Sequence, residues 1–515
     1  MKLKFYKFYS VLVLLFLLSN SIFIKPDRDV LFYDETNYLE AGNQKFAFVD
    51  SAIYQLHYKI LSNFIKDPID RYFINYQFLV FLFGVCFLFV ARSKKELILI
   101  VTFLILLFSS RFLSDLWPFI TLLSSIWLVF LYTSFRSNYD FLSIVFCFLL
   151  VYTRVEFLYV YYLLFFLILY KSWGDKEKKK LLLFKIFLYS FGFIVIFTHN
   201  PSDGTRSYNA FCQHYAFSQF VRKLYVEDPW TTCDLLLAKD FGNAKDLLDL
   251  WMLNPKHLGL HLFHNLDLFL KKIQELFLVP PFVSFGLILL FIFFETKDFI
   301  RICFQRNKRK IATHLLLYVL LSISLITILF IFPREHYILH FLVSIVLLLI
   351  QQRNFNRILR SLQSNPIWLY SIVAVFLVVL LSFYLQKAKI IRSEALRNPC
   401  SNVFTIEVLR NLELKKYHIL AFDGSVCAYL PNTSCKQFHI SDKNISFDEF
   451  LEQNKINVLI LSEHWDRDQK YIKDVEYQFF ISHPYKTKTT GDQFELNQFS
   501  LCSNRKILLK KETKY

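Results

Sequence analysis

Long apolar blocks interrupt this sequence throughout, and they constrain its fold more than any other feature. They fall at about 8–24, 73–91, 97–110, 116–135, 141–153, 157–170, 181–198, 278–294, 312–332, 337–351 and 367–386, eleven in all. None alternates as a half-buried strand does, and none carries the single apolar stripe of a surface helix. With 55% apolar residues in 515 and a mean hydropathy of +0.37, the chain is too apolar for a water-soluble domain of this size. Apolar runs of about 20 residues cross a bilayer as helices, because a helix satisfies its own backbone donors and acceptors. The expected fold is mainly α: a polytopic membrane protein of about 11 transmembrane helices, with a small C-terminal α/β extracytoplasmic domain. The boundary is expected at 386/387, giving units 1–386 and 387–515.

Glycine excludes two large classes. The chain has 10 glycines, and the closest two, Gly192 and Gly204, are twelve positions apart. Neither a G-x-G-x-x-G dinucleotide turn nor a G-x-x-x-x-G-K-[ST] phosphate loop can be written, so no nucleotide cofactor of either kind is expected. Any phosphate here is held by side chains.

The first block follows Lys2, Lys4 and Lys7, as in a signal peptide, but Lys25, Pro26 and Asp27 stand where a small-residue cleavage site belongs. It reads as an uncleaved first helix with a cytoplasmic N-terminus. The segment from Phe141 to Tyr170 is thirty residues long and carries Thr153, Arg154, Val155 and Glu156 at its centre. One long span would place Lys171, Lys176, Lys178, Lys179 and Lys180 outside, against the positive-inside rule, so a short hairpin is expected. The segment 97–135 turns similarly at Arg111 to Asp115. With this topology 21 basic and 6 acidic residues lie inside, and 37 basic and 36 acidic lie outside. Lys185, just within a helix, is expected to snorkel to the cytoplasmic face. Nearly all of the net +17 is therefore an orientation signal beside membrane lipid, and nothing in it calls for nucleic acid.

Three outer segments remain for chemistry: 25–72, 199–277 and 387–515. Cys212 and Cys233 share the second, and Cys400, Cys427, Cys435 and Cys502 share the third, even counts compatible with disulfides in an oxidising compartment. Cys86, Cys147 and Cys303 read as apolar filler in or beside helices. In the tail, His418 to Phe422, Ile456 to Leu461 and Lys506 to Leu509 read as strands and Phe447 to Gln453 as a helix. Asp466-Arg467-Asp468 reads as a solvated turn.

The strongest local pattern is Tyr33-Asp34-Glu35-Thr36-Asn37-Tyr38-Leu39-Glu40-Ala41. Adjacent carboxylates near a membrane surface suit a general base, or a base plus a cation ligand; a solvated helix start is the plain alternative. Asp27-Arg28-Asp29 is a weaker candidate nearby. Arg154 with Glu156, Arg111 with Asp115, and Arg334-Glu335-His336-Tyr337 place ionisable groups at or near membrane depth. Each such group costs about 2.5–3.5 kcal/mol on the insertion scale. They serve either as structural pairs or as substrate contacts, and Arg334 and His336 suit a phosphate head group. His257, His261 and His264 lie on one helical face, but without an H-E-x-x-H frame an aromatic and histidine surface against lipid head groups is the preferred reading over zinc.

In their order along the chain these motifs resemble those of the multi-spanning GT-C glycosyltransferases, the bacterial enzymes similar to protein O-mannosyltransferases and the aminoarabinose lipid A transferase. Asp34-Glu35 with Tyr38 and Ala41 is similar to that family's D-E-x-x-Y-x-x-A loop. Thr153-Arg154-Val155-Glu156 is similar to its R-P-E turn, with Val155 where Pro is usual. Arg334-Glu335-His336-Tyr337 is similar to its R-x-R-Y element. The resemblance implies an inverting glycosyltransferase of the bacterial inner membrane with its catalytic face extracytoplasmic. It implies a polyprenyl-phosphate-linked sugar donor and a lipid, glycan or protein acceptor. Asp34 would be the base, and Glu35 would assist it or coordinate a divalent cation such as Mg or Mn. Tyr38, Arg111, Asp115, Arg154, Glu156, Arg334, His336 and Tyr337 would contact substrate. A lipid or polysaccharide flippase or transporter is the competing class, and a scaffold working through its outer tail is a third. Tail deletion is expected to abolish a scaffold and spare an enzyme.

Overall fold

The computed structural model describes residues 29–31, 34–41, 51–109, 112–172, 179–201, 205–227, 229–230, 232–277, 281–352, 401–421, 426–430, 434–438, 445–462, 473–496 and 505–511. The apolar blocks at 8–24 and 367–386 lie outside the described residues, as do Cys400, Cys502 and Asp466 to Asp468.

The described chain is mainly helical. Its first loop forms α1 (Asp34–Ala41) and α2 (Ala52–Phe64). Then come α3 (Pro68–Val90), α4 (Lys94–Ser109), the short α5 (Phe112–Asp115), α6 (Ile120–Arg136), α7 (Asp140–Val151), α8 (Leu158–Ser172) and α9 (Lys179–Thr198). A helical second loop holds α10 (Thr205–Val221), α11 (Cys233–Phe241), α12 (Leu247–Leu253) and α13 (Pro255–Phe277). The helices α14 (Pro281–Phe304), α15 (Lys308–Phe330) and α16 (Glu335–Gln351) follow. Local chemistry starts them: Asp67 caps α3 by accepting from the Ile69 and Asp70 amides at 2.8 and 3.0 Å, with Pro68 in the first turn, where a missing N–H costs nothing.

Three segments of the described chain are long and apolar enough to cross a membrane: α3, the stretch Val155–Ser172 that contains α8, and α15. Helices α6, α7 and α16 and the Leu183–Thr198 part of α9 are apolar but shorter. The expected count of eleven is therefore not what these helices show by length. The hairpin between 141 and 170 is present. Helix α7 has twelve residues, about 18 Å at 1.5 Å each, against a hydrocarbon thickness of about 30 Å. It ends in a turn at Tyr152–Arg154, and a 3₁₀ turn (Val155–Phe157) leads into α8. At the opposite end of this hairpin the sequence reading needs correction. Lys185 does not snorkel: it is buried, with its ammonium 2.5 Å from Asp140 Oδ2, and Lys171 pairs with the other Asp140 oxygen. A lysine that meets a carboxylate within the bundle has no reason to reach for the surface.

One apolar core joins α3, α6, α8, α15 and α16 through residues such as Leu79, Leu128, Leu164, Leu317 and Leu347. Helices α10 to α13 enclose a smaller core of their own, around Phe211, Tyr215, Leu237, Phe241 and Leu258, and a Cys212–Cys233 disulfide ties α10 to α11. Of the cysteines expected as filler, Cys86 and Cys147 are buried but Cys303 is exposed near the end of α14.

After α17 (Asn402–Asn411), the tail forms a five-stranded sheet from β1 (Lys416–Ala421), β2 (Ser434–Phe438), β3 (Val458–Ser462), β4 (Phe494–Leu496) and β5 (Arg505–Lys510). The order is β2-β1-β3-β5-β4, parallel across β2, β1 and β3 and antiparallel beyond. Its helices are α18 (Phe447–Gln453) and α19 (Val475–Ser482). The three expected strands and the expected helix are present, while β2 and β4, short strands at the two edges, were not foreseen. Cys427 and Cys435 are joined across the link between β1 and β2.

The sheet is fastened to the first loop. Asp29 accepts from the Asn402 and Val403 amides at 2.6 and 3.0 Å, and Arg410 meets Asp67 at 2.8 Å. The Tyr429 hydroxyl lies 3.0 Å from that of Thr36 in α1.

Candidate functional site

The site is built around the first turn of α1. Glu35, its second residue, is fully buried, and both of its oxygens are used. Oε1 accepts from the Tyr54 hydroxyl, from the Tyr58 hydroxyl at 2.5 Å and from Asn75 Nδ2 at 3.4 Å, while Oε2 accepts from the Phe119 amide at 2.8 Å. Tyr54 and Tyr58 are one turn apart on α2 and so face the same way. Burial, then the charge of Glu35, pushes both phenols well above their usual range, which keeps them as donors. Asn75 also bonds His57 at 2.7 Å, and burial lowers the pKa of that imidazole. The adjacent Thr36 hydroxyl donates to the Leu31 carbonyl at 2.6 Å. Tyr38 is buried edge-on to Tyr54, 5.1 Å between centroids, with its hydroxyl 3.3 Å from that of Ser51. Helix α1 is thereby clamped from its inner side, and Asp34, one residue earlier, is left half-buried at the edge.

Two further motifs meet at this edge. Arg154 and Glu156, in the turn before α8, pair with each other: Nε and Nη2 lie 2.7 and 2.5 Å from Oε1. The Arg154 guanidinium also lies 5.4 Å over the Tyr337 ring. Arg334 is the N-cap of α16, and its amide bonds the Phe332 carbonyl at 2.8 Å. Its guanidinium lies 5.4 Å from the Phe217 ring centre and 5.3 Å from that of Trp230, so it is gripped by aromatic faces of the second loop. Among the described residues no carboxylate pairs with it. Burial lowers its pKa, opposed by Tyr337 and by the charges of Asp34 and Glu335. Glu335 itself pairs with Lys272 of α13. The Arg154 guanidinium over Tyr337 brings the second and third motifs together, and the charges of Asp34, Glu156 and Arg334 also act on that phenol.

Other expected contacts are placed differently. His336 is buried, packed 4.0 Å from Tyr337 by ring centres, with Nδ1 enclosed and without a hydrogen-bond partner among the described residues. Arg111 and the Asp115 side chain lie outside the described residues, as does the side chain of Ala41. His257, His261 and His264 do not converge. His261 is buried and bonds the Phe330 carbonyl at 3.0 Å, and His257 bonds Asn254 at 2.7 Å. Among the described residues no group of three or more His, Cys, Asp and Glu side chains could hold a metal ion. Among its described residues the first loop does not suit a resident divalent cation, since Glu35 would have to give up its hydrogen-bond donors to become a ligand.

Phe217 and Trp230, which hold Arg334, were missed in the sequence. His214 stands beside them, with ring centres 5.6 Å from Trp230 and 6.4 Å from Phe332. Burial and then Arg334 hold its pKa well below the usual range. The signal available was their position between Cys212 and Cys233. Compared with protein-family models, with curated proteins and with solved structures, the chain matches none.

Proposed function

We propose that this chain is a polytopic membrane glycosyltransferase of the GT-C kind, with its active face outside the cytoplasm. The supporting observation is the juxtaposition of opposite charges at one edge of the bundle. A half-buried carboxylate, Asp34, stands within electrostatic reach of a guanidinium, Arg334, that forms no ion pair among the described residues. A cation so placed suits an anion brought in by a substrate, and a carboxylate beside it that is not hydrogen-bonded among the described residues suits a proton.

In this reading the donor is a sugar on a polyprenyl phosphate. The acceptor oxygen attacks the anomeric carbon as its proton passes to Asp34. The bond from that carbon to the phosphate oxygen breaks, and the electron pair leaves with the phosphate. Arg334 stabilises the negative charge that develops there, an effect worth roughly 3–4 kcal/mol for one well-placed donor. Arg154, already paired with Glu156, acts on the site through Tyr337. Glu35 positions α1 and touches no reacting atom. Single displacement inverts the anomeric carbon. The chain reconstituted in vesicles should release polyprenyl phosphate from such a donor when an acceptor is supplied. Absence of turnover with a panel of polyprenyl-phosphate sugars and acceptors would contradict the reading.

A further inference from the structure

The second loop carries an apolar surface that its own core does not use. Leu248, Trp251, Met252 and Leu253 in α12 and Leu260 and Phe263 in α13 are all exposed, Met252 by 73% and Phe263 by 72%. Six large apolar side chains within sixteen residues exceed the scattered exposure normal for a surface in water.

The opposite face of α13 shows where this surface lies. Leu258, His261, Asn265, Phe269, Ile273 and Leu276 are buried and recur at three- and four-residue steps. His261 bonds the carbonyl of Phe330, the last residue of α15, and Asn265 Nδ2 donates to the Leu329 carbonyl at 2.7 Å. Farther along, Lys272 meets Glu335, the first residue of α16. Positions 261 to 272 cover about 16 Å of helix axis, yet these three polar contacts reach only residues 329 to 335, the end of α15 and the start of α16, with Phe269 packed on Phe341 one turn farther in. Helix α13 therefore crosses the end of α15 instead of extending it. With α15 crossing the membrane, as its length and apolarity allow, its end lies at a membrane boundary. Ile326, one turn before that end, is itself 55% exposed, so α15 also carries an apolar side chain outward near the end that α13 contacts.

We propose that α12 and the first turns of α13 lie in the outer lipid surface as an interfacial helix pair, with Leu248 to Leu253, Leu260 and Phe263 immersed among the upper acyl chains. The inference rests on α15 crossing the membrane and is independent of any transferase activity. Its occupant is lipid because the surface begins at the end of a span. Helices of this type sink about 5–10 Å into the boundary between head groups and chains. The arrangement would hold Phe217 and Trp230, and through them Arg334, at the level of the lipid head groups.

The test uses the full chain reconstituted in phosphatidylcholine–phosphatidylglycerol vesicles. A genetically encoded environment-sensitive fluorophore is placed at position 263, in a second variant at 252, and in a control at the exposed Gln453 of α18. Lipids brominated at shallow chain positions should quench 263 and 252 at least about threefold more than 453, and more than deeply brominated lipids do. Quenching of 263 and 252 by aqueous iodide to the extent seen at 453 would overturn the proposal. Protection from both quenchers would overturn it as well, by showing that protein, such as a second copy of the chain, covers this face.

Discussion

Glu35 accepts hydrogen bonds on both oxygens inside a cage of tyrosines, whereas among the described residues none holds the Asp34 carboxylate beside it. Replacing Glu35 by Gln would put an amide N–H₂ where donors already point. The expected result is a loss of about 1–3 kcal/mol, read as a lower thermal unfolding midpoint in detergent. Asp34→Asn should leave that midpoint in place. His261 gives the residue scale a pH signature. Its pKa in the fold is lowered to about 4 by burial, against about 6.5 in an unfolded chain. The unfolded state therefore takes up a proton first as the pH falls. Stability contributed by the neutral ring is complete above about pH 6.5 and is lost as the pH falls towards 4, to the extent of about 3 kcal/mol. Melting followed between pH 7 and pH 4 should fall less steeply for His261→Gln than for the parent. Equal slopes would mean that the ring is not enclosed as described.

Close approach of elements is tested best at Gly192 of α9. A Cβ there would collide with the Tyr161 hydroxyl, which donates to the Tyr189 carbonyl at 2.9 Å. Gly192→Ala should cost about 1–3 kcal/mol by overpacking, and adding Tyr161→Phe should return part of it. A neutral Gly192→Ala would show that α8 and α9 do not meet here. How far elements were legible depended on how local their signal was. An apolar block is self-contained, so the helices and the turn at Tyr152–Arg154 could be read directly. A strand of three residues such as β4 carries too little pattern, and it exists because β5 pairs with it. The grip of Phe217 and Trp230 on Arg334 joins positions more than a hundred apart, and the fold of α10 and α11 around Cys212–Cys233 decides it. Tyr54 and Tyr58 could be read as one face of a helix, but nothing local says that Glu35 points at them. The burial of His336 was illegible for the same reason.

For the whole molecule, the tail is a structural partner of the first loop. Tyr429 reaches Thr36 beside Glu35, Asp29 caps the amides of Asn402 and Val403, and Arg410 meets Asp67. Removing residues 401–515 would uncover α1, so an enzyme as well as a scaffold should lose function. Tail deletion therefore does not separate the two classes. Tyr429→Phe is the gentler probe: it should cost about 1 kcal/mol and leave the sheet intact.

Point substitution at Asp34 avoids that ambiguity and tests the proposed chemistry most directly. Asp34→Asn, confirmed to insert and to melt like the parent, would be compared with it for release of polyprenyl phosphate from a polyprenyl-phosphate-linked sugar in the presence of acceptor. The expected result is a loss of at least about a hundredfold in rate, as for removal of a general base, with donor binding retained. Undiminished release from the variant would remove Asp34 from catalysis and contradict the proposed site.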